Sequence, residues 1–283
     1  MKLVKNIIGD IIEPITYICN LSLKLGIFPD VFKVAKVIPI FKAGDIHDVS
    51  NYRPVSILPQ LSKIIEKLFE KRLRQYINKH NYFFNGQYGF RTNHSTGLAL
   101  NEMVNIIVNA IDSNKHSIGV FIDLKKAFDT VNHSLLIDKF KFYGIRGIAS
   151  KFIQSYLSNR KQFVQYKEHK ANGNKILCGV PQGSILGPLL FLLYINDMHK
   201  VSNLLHFIIF ADDTNIFYLH DDPDILKDIV NEELCKLNTW FKINKLSLNV
   251  SKSNFMIFGN KNMLPKAVLL NNVPLNQVTV TQF

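Results

Sequence analysis

The stretch "HFIIFADDTNIFYLH" (residues 206–220) constrains the fold of this chain more than any other. Strand-forming residues run into Asp212 and Asp213 and resume after them, the pattern of a β-hairpin whose tip carries two adjacent carboxylates. Neighbouring carboxylates repel, and neither belongs between apolar arms. Two readings stand. The pair is a surface turn, since Asp is a common turn residue, or it is a place where a divalent cation removes the repulsion.

The remainder of the chain supplies context. With 283 residues, 47% hydrophobic and 20% charged, it has the balance of a folded protein with a sizeable core. Its net charge of +12 is uneven: residues 1–100 carry 14 Lys+Arg against 7 Asp+Glu, residues 101–200 carry 13 against 7, and the last 83 carry 7 against 8. A positive field from the first two-thirds suits a polyanion such as nucleic acid, with a basic solubility surface as the alternative. Cys19, Cys178 and Cys235 are odd in number and far apart, with neither a disulfide framework nor zinc spacing, which fits a reducing compartment. No run nears the ~18–20 apolar residues of a membrane span; "GPLLFLLYI" is about half that. The N-terminal "MKLVKNIIGDIIEPITYICN", interrupted by Asp10 and Glu13, reads as an amphipathic helical lead-in over residues 1–24, not as a signal peptide.

In "LSKIIEKLFEKRLRQYINKH" the helical period puts Leu61, Ile64, Ile65, Leu68 and Leu73 on one face. Lys63, Lys67, Lys71 and Arg74 line another, as a solvated face or as a stripe tracking a nucleic-acid backbone. The pattern predicts further helices over 98–114, 133–143, 149–159, 187–199 and 223–245. It predicts strands at "SIGVFIDL", "KQFVQYK", "KILCGV", both arms around Asp212-Asp213, "NFMIFG" and "KAVLL". Irregular interleaving with hairpins gives an α+β fold, not a doubly wound parallel sheet. Asp123 ends "SIGVFID"; facing the hairpin tip, it would complete a compact acidic cluster suited to two hard cations about 3.5–4 Å apart. Mg2+ fits such a cluster best. Asp129, six residues on, reads as a local cap or pairing residue.

"VFIDLKKAFDTVNH", "GVPQGSILGPLLFLLYINDM" and "FADD", in that order, resemble the successive palm motifs of reverse transcriptases. The upstream "VIPIFKAGDIHDVSNYRPVSILPQLSKIIEKLF" and "NGQYGFRTNHST" resemble that family's fingers motifs, and "NKLSLNVSKSNFMIF" its Lys-bearing palm motif. The likeness is closest to non-LTR, LINE-like retrotransposon polymerases of the Jockey kind and covers residues 25–260. It implies an α+β right-hand polymerase fold: fingers, and an antiparallel palm sheet backed by helices, with the thumb missing or truncated. The implied layout is a reverse transcriptase domain over 25–283, with fingers over 25–115 and a fingers-like insertion over 145–178. The palm then takes 116–144 and 179–283. The implied activity is an RNA-directed DNA polymerase that adds deoxynucleotides to a primer 3′-hydroxyl by two-metal-ion phosphoryl transfer, serving retrotransposition. Its implied partners are an RNA template, a DNA primer or nicked target DNA, and deoxynucleoside triphosphates. The implied cofactor is two Mg2+ ions, with Mn2+ as the alternative. No membrane partner is expected, the endonuclease region is expected on a longer parent polyprotein, and nucleus and cytoplasm both stay open as compartments.

The resemblance also assigns residues. Asp123, Asp212 and Asp213 match the metal-site carboxylates, with the Leu124 carbonyl as an extra ligand. Lys42 and Arg53 match basic fingers positions that contact the incoming triphosphate; otherwise Lys42 is a turn lysine beside Gly44. Gln182 and Gly183 match the motif lining nucleotide and template, and equally read as a Pro-Gly loop before a helix capped by Ser184. Phe128 matches the bulky ring beneath the sugar, or is a core aromatic on a short helix with Val131. Lys252 matches a general acid for the leaving pyrophosphate, or is a solvated turn lysine. Arg91 and the Lys63/Lys67/Lys71/Arg74 stripe are the candidate nucleic-acid contacts. Two rival classes remain: a truncated, inactive remnant that only binds nucleic acid, and a two-metal phosphodiesterase that uses the same aspartates for hydrolysis. Arg53, Phe128 and Gln182 suit nucleotide selection and have no evident use in a nuclease. "VTVTQF" stops in what reads as a strand, and no endonuclease or ribonuclease H pattern flanks the motifs, so a truncated chain is expected.

Overall fold

The computed structural model describes residues 2–259 and 267–279. Its helices are α1 (Lys2–Leu25), α2 (Ser62–Lys79), α3 (Thr96–Asp112), α4 (His133–Phe142), α5 (Gly147–Leu157), α6 (Leu186–Ile195) and α7 (Pro223–Ile243). The strands are β1 (Val34–Phe41), β2 (Tyr52–Ile57), β3 (His116–Ile122), β4 (Lys161–Tyr166), β5 (His169–Lys170), β6 (Asn174–Lys175), β7 (His206–Phe210), β8 (Asp213–His220), β9 (Asn254–Phe258), β10 (Leu269–Leu270), β11 (Val273–Pro274) and β12 (Asn276–Gln277). Contacts divide them into two units, one of residues 1–82 with 131–194 and one of residues 83–130 with 195–283. Charge follows the same division. The first unit carries 22 Lys+Arg against 9 Asp+Glu, a net +13, and the second carries 12 against 13, a net −1.

In the first unit β1 and β2 form an antiparallel hairpin with Ile40 opposite Arg53, and β4 joins β1 in parallel. The run "GPLLFLLYI" becomes α6, apolar on every side and therefore buried: Leu189 to Tyr194 are at most 1% exposed. Its N-terminus is closed twice. Ser184 Oγ accepts the Gly187 N–H at 3.0 Å, the expected cap. The Glu66 carboxylate accepts the N–H groups of Ile185 and Leu186 at 2.8 and 3.3 Å. Burial pushes the Glu66 carboxyl above the usual carboxylate range, and these two N–H bonds partly offset the rise. On α2 the buried stripe is Ile65, Phe69, Leu73 and Ile77. Leu68, predicted on the core face, is exposed because this i, i+4 row takes the contact instead.

In the second unit the strand order is β12-β9-β3-β8-β7, antiparallel except for β12 beside β9. Phe121, Phe217 and Ile208 pack with Ala99 and Met103 of α3. By strand alternation Val120, Ile122 and Ile216 face the other way. They are buried too, and α7, whose inner residues include Leu226, Val230 and Leu234, contacts β3 and β8. With helices on both faces the central strands read as continuous apolar runs rather than alternating ones.

Three expectations change. "KILCGV" keeps strand character only at Lys175, because Gly179 at φ +85° takes the backbone out of the extended region before Val180. The predicted helix over 187–199 stops at Ile195, and Met198–Val201 forms a separate 3-10 turn. The segment carrying Lys42 and Arg53, not among the predicted strands, forms the β1–β2 hairpin. Of "KAVLL", Leu269 and Leu270 form β10, whereas Lys266 lies outside the described residues, as do the last four residues of "VTVTQF".

Candidate active site

Asp123 follows β3, and Asp212-Asp213 lie at the β7–β8 turn. The register pairs Ile122 with Thr214, so one step further Asp123 stands opposite Asp213. Neighbouring strands lie about 4.8 Å apart, which puts the three aspartates at one end of the two central strands. Asp123 and Asp212 are half-buried and Asp213 is exposed. Phe210 pairs with Asp213 across a two-residue turn, Ala211–Asp212, with φ +58° at Ala211. Such turns need a positive φ and favour Gly there, so Ala211 stands at a cost of about 1–2 kcal/mol. The buried side chain of Gln87 accepts the Ala211 N–H at 3.1 Å.

Asp123 is held by the segment 247–253. Asn249 Nδ2 donates to Asp123 Oδ2 at 2.6 Å, and the Asn249 N–H donates to the Asp123 carbonyl at 2.8 Å. The Asp123 N–H donates to Ser253 Oγ at 3.1 Å, whose hydroxyl donates in turn to the Asn249 carbonyl at 3.0 Å. With Lys125 N–H on the Ser247 carbonyl at 2.8 Å, these close an antiparallel bridge between Leu124 and Leu248. None of the bonds takes the Leu124 carbonyl. Lys252, singled out from this segment by sequence, sits exposed on the turn, its N–H on the Asn249 carbonyl at 3.0 Å. Among the described residues, those that hydrogen-bond Asp123 are Asn249 and Ser253, which sequence reasoning missed. The available signal was polar Asn249 set between Leu248 and Val250.

Among the described residues no three His, Cys, Asp or Glu side chains stand close enough together to hold a metal ion. The donor chemistry nonetheless fits a hard divalent cation: three carboxylates and a backbone carbonyl, all oxygen. Asn249 occupies one Asp123 oxygen, and among the described residues the other accepts no hydrogen bond.

Phe128 lies on the short 3-10 turn Ala127–Asp129 and is half-buried, Ala127 being the buried member. Its ring meets Phe90 edge-on, with centroids 6.2 Å apart. Arg91 turns inward. Its Nη1 donates to the carbonyls of Phe84 and Gln87 at 2.7 and 3.1 Å, and its guanidinium lies 5.1 Å from the Phe83 ring centroid.

The other predicted residues belong to the first unit. Lys42 and Arg53 are both exposed on the β1–β2 hairpin. Arg53 pairs with Ile40, two residues before Lys42, so strand alternation gives Lys42 and Arg53 one face. Gly44, at φ +94°, permits the turn beside Lys42. The Gln182 carbonyl accepts the Ser56 N–H at 2.8 Å. Gly183 is required twice over: its φ is +110°, and a Cβ there would meet the Ser56 carbonyl oxygen at 2.5 Å. The "PQGS" loop thus docks on the strand that carries Arg53. On α2, Lys67 and Lys71 are exposed, Lys63 and Arg74 are half-buried, and Arg74 Nε pairs with Glu70 at 2.5 Å. Among the described residues no carboxylate pairs with Lys63, Lys67 or Lys71.

Residues 40–280 match the family described as reverse transcriptase (RNA-dependent DNA polymerase). The chain is 31% identical over 284 residues to a probable RNA-directed DNA polymerase from transposon X-element of Drosophila melanogaster, covering 95% of this chain and 30% of that protein. It is 30% identical over 268 residues to the RNA-directed DNA polymerase from mobile element jockey of the same species, covering 90% of this chain and 28% of the other. It therefore spans about 30% of the length of such relatives. Among solved structures, the telomerase of Candida tropicalis in complex with a TWJ fragment of telomeric RNA superposes with a TM-score of 0.60 at 14% identity. That match covers 87% of this chain and 44% of the telomerase chain, a likeness of fold.

Proposed function

Because this chain belongs to the reverse transcriptase (RNA-dependent DNA polymerase) family and has the right-hand polymerase fold of fingers and palm, we propose that it catalyses RNA-templated DNA synthesis. Deoxynucleotides are added to a primer 3′-hydroxyl with release of pyrophosphate, in the service of retrotransposition. The observation that carries this reading is the placement of Asp123 and Asp212-Asp213 at one end of β3 and β8. The sheet that bears them is the palm sheet, and the β1–β2 hairpin belongs to the fingers.

Asp123, Asp212 and Asp213, with the Leu124 carbonyl, would hold two Mg2+ ions, Mn2+ being the alternative. Bound there, divalent cations stabilise charge on the attacking and leaving oxygens of a phosphoryl transfer. Asn249 keeps one Asp123 oxygen engaged and so sets the direction of the other. Lys42 and Arg53, exposed on one hairpin face, bind triphosphate oxygens, Arg53 through its planar fork. Gln182 and Gly183 line the nucleotide and template, since glycine lets the backbone approach closely. The Phe128 ring excludes a 2′-hydroxyl, and Lys252 protonates the leaving pyrophosphate. The net +13 of the first unit, including Lys63, Lys67 and Lys71, attracts the phosphate backbones of RNA template and DNA primer or nicked target. An endonuclease region would lie on a longer parent polyprotein. Primer extension with labelled deoxynucleotides on an RNA template tests the reading: extension supports it, degradation points to a nuclease, and binding alone to a remnant.

A further inference from the structure

The loop "FFNGQYGFR" (residues 83–91) runs beside the aspartate hairpin as if it were another strand. The Ile209 N–H donates to the Gly86 carbonyl and the Tyr88 N–H to the Ile209 carbonyl, each at 2.7 Å, so that Gln87 and Ile209 form a parallel bridge. The approach leaves no room for side chains at the two glycines. A Cβ on Gly86 would lie 2.3 Å from the Phe207 carbonyl oxygen, and one on Gly89 would lie 2.2 Å from the Ala211 nitrogen. Between them Gln87 is 3% exposed. Its Oε1 accepts two backbone N–H groups, from Gly89 at 2.8 Å and from Ala211 at 3.1 Å. Ala211 is itself buried and left-handed, and Asp212 is the next residue. A buried N–H without its acceptor is costly, so Gln87 supplies what this turn needs to persist. Arg91 completes the arrangement by bonding the carbonyls of Phe84 and Gln87, on either side of the glycine turn.

We propose that Gln87 is a positioning residue for Asp212, and that Arg91 acts by locking the loop that carries Gln87 rather than by touching nucleic acid. The proposal rests on the reading of Asp212 as a carboxylate of the polymerase site. The Gln87 side chain fixes the Ala211 N–H, the fixed N–H holds the left-handed turn, and the turn presents the Asp212 carboxylate. A neutral amide suits the task, because it accepts two N–H bonds without adding a third negative charge beside the aspartate pair.

The test compares the unmodified chain with Gln87→Met, which keeps length and loses the acceptor, and with Arg91→Ala. Four quantities are read: hydrogen exchange of the Ala211 amide, the melting temperature, kcat and KM for deoxynucleotide in primer extension, and primer–template affinity against salt. Gln87→Met is expected to speed Ala211 exchange by about tenfold, the effect of one lost hydrogen bond. It should lower kcat by about tenfold or more while leaving KM near its starting value. Arg91→Ala should shift both in the same direction and leave the salt slope unchanged. Unchanged Ala211 exchange in Gln87→Met overturns the proposal. So does an Arg91→Ala variant with intact kcat and a salt slope reduced by about one, the signature of a lost phosphate contact. Should Gln87→Met not fold, Arg91→Lys, which keeps the charge and loses the fork, is read by the same exchange measurement. Absence of extension by the unmodified chain would count against the polymerase reading alone, since Ala211 exchange still decides whether Gln87 holds the turn.

Discussion

Replacing Asn249 by Ala removes one interaction at the Asp123 carboxylate and leaves its backbone in place. The lost bond runs from Asn249 Nδ2 to Asp123 Oδ2 at 2.6 Å, short and charge-assisted. Two backbone links survive, Asn249 N–H to the Asp123 carbonyl and Asp123 N–H to Ser253 Oγ, so the strand end should keep its position. Hydrogen bonds to charged groups contribute about 1.5–3 kcal/mol, and the half-exposed setting of both residues favours the lower figure. Spent entirely on orienting the carboxylate, about 1.5 kcal/mol is roughly tenfold in rate. Asn249→Ala should therefore lower kcat by about tenfold, with little change in KM or in primer–template affinity. Asn249→Asp should lose more, because it turns a carboxylate toward Asp123 where a donor stood. Single-turnover primer extension over a deoxynucleotide titration separates the parameters. Wild-type rates in both variants would refute the view that Asn249 orients Asp123.

Gly183→Ala must adopt φ +110° and accommodate a Cβ 2.5 Å from the Ser56 carbonyl, so a loss of at least 1–3 kcal/mol is expected in denaturant unfolding. Phe128→Ala should raise ribonucleotide incorporation by ~10²-fold while deoxynucleotide use changes far less; an unchanged ratio together with a lowered melting temperature would make Phe128 a packing residue only. His133 is held below its ordinary value, chiefly by burial, although its Nε2 bonds the Gly179 carbonyl at 2.7 Å. A depressed folded-state value favours the neutral ring, so stability is fully present above an unfolded value of about 6.5 and is lost as pH falls through the folded one. His133→Gln should flatten the decline in melting temperature below about pH 6.5. It should not abolish that decline, because burial lowers His199 as well.

The central strands were legible in the sequence because helices cover both faces, and double burial writes an unbroken apolar run such as Ile118–Ile122. The β1–β2 hairpin was not, since Pro39 and Pro54 stand opposite one another within it and proline argues against a strand. On α2, Leu68 belongs to the right helical period, but the period does not say which of two adjacent rows meets the core. The positions of Asp123 and of the Asp212-Asp213 pair followed from strand ends. Gln87 and Asn249 did not, because each acts from a distant segment: 124 residues separate Gln87 from Ala211, and 126 separate Asn249 from Asp123. Arg91 was legible as a candidate nucleic-acid contact, whereas its bonds to the carbonyls of Phe84 and Gln87 within its own loop were not.

The most direct test of the account is primer extension on an RNA template by the unmodified chain and by Asp123→Asn and Asp212→Asn, with RNA–primer affinity measured in parallel. The account predicts extension by the unmodified chain and none by either variant. Affinity should stay nearly intact, because binding draws on distributed basic contacts in the unit of net charge +13. Extension by either variant at near wild-type rate would contradict it.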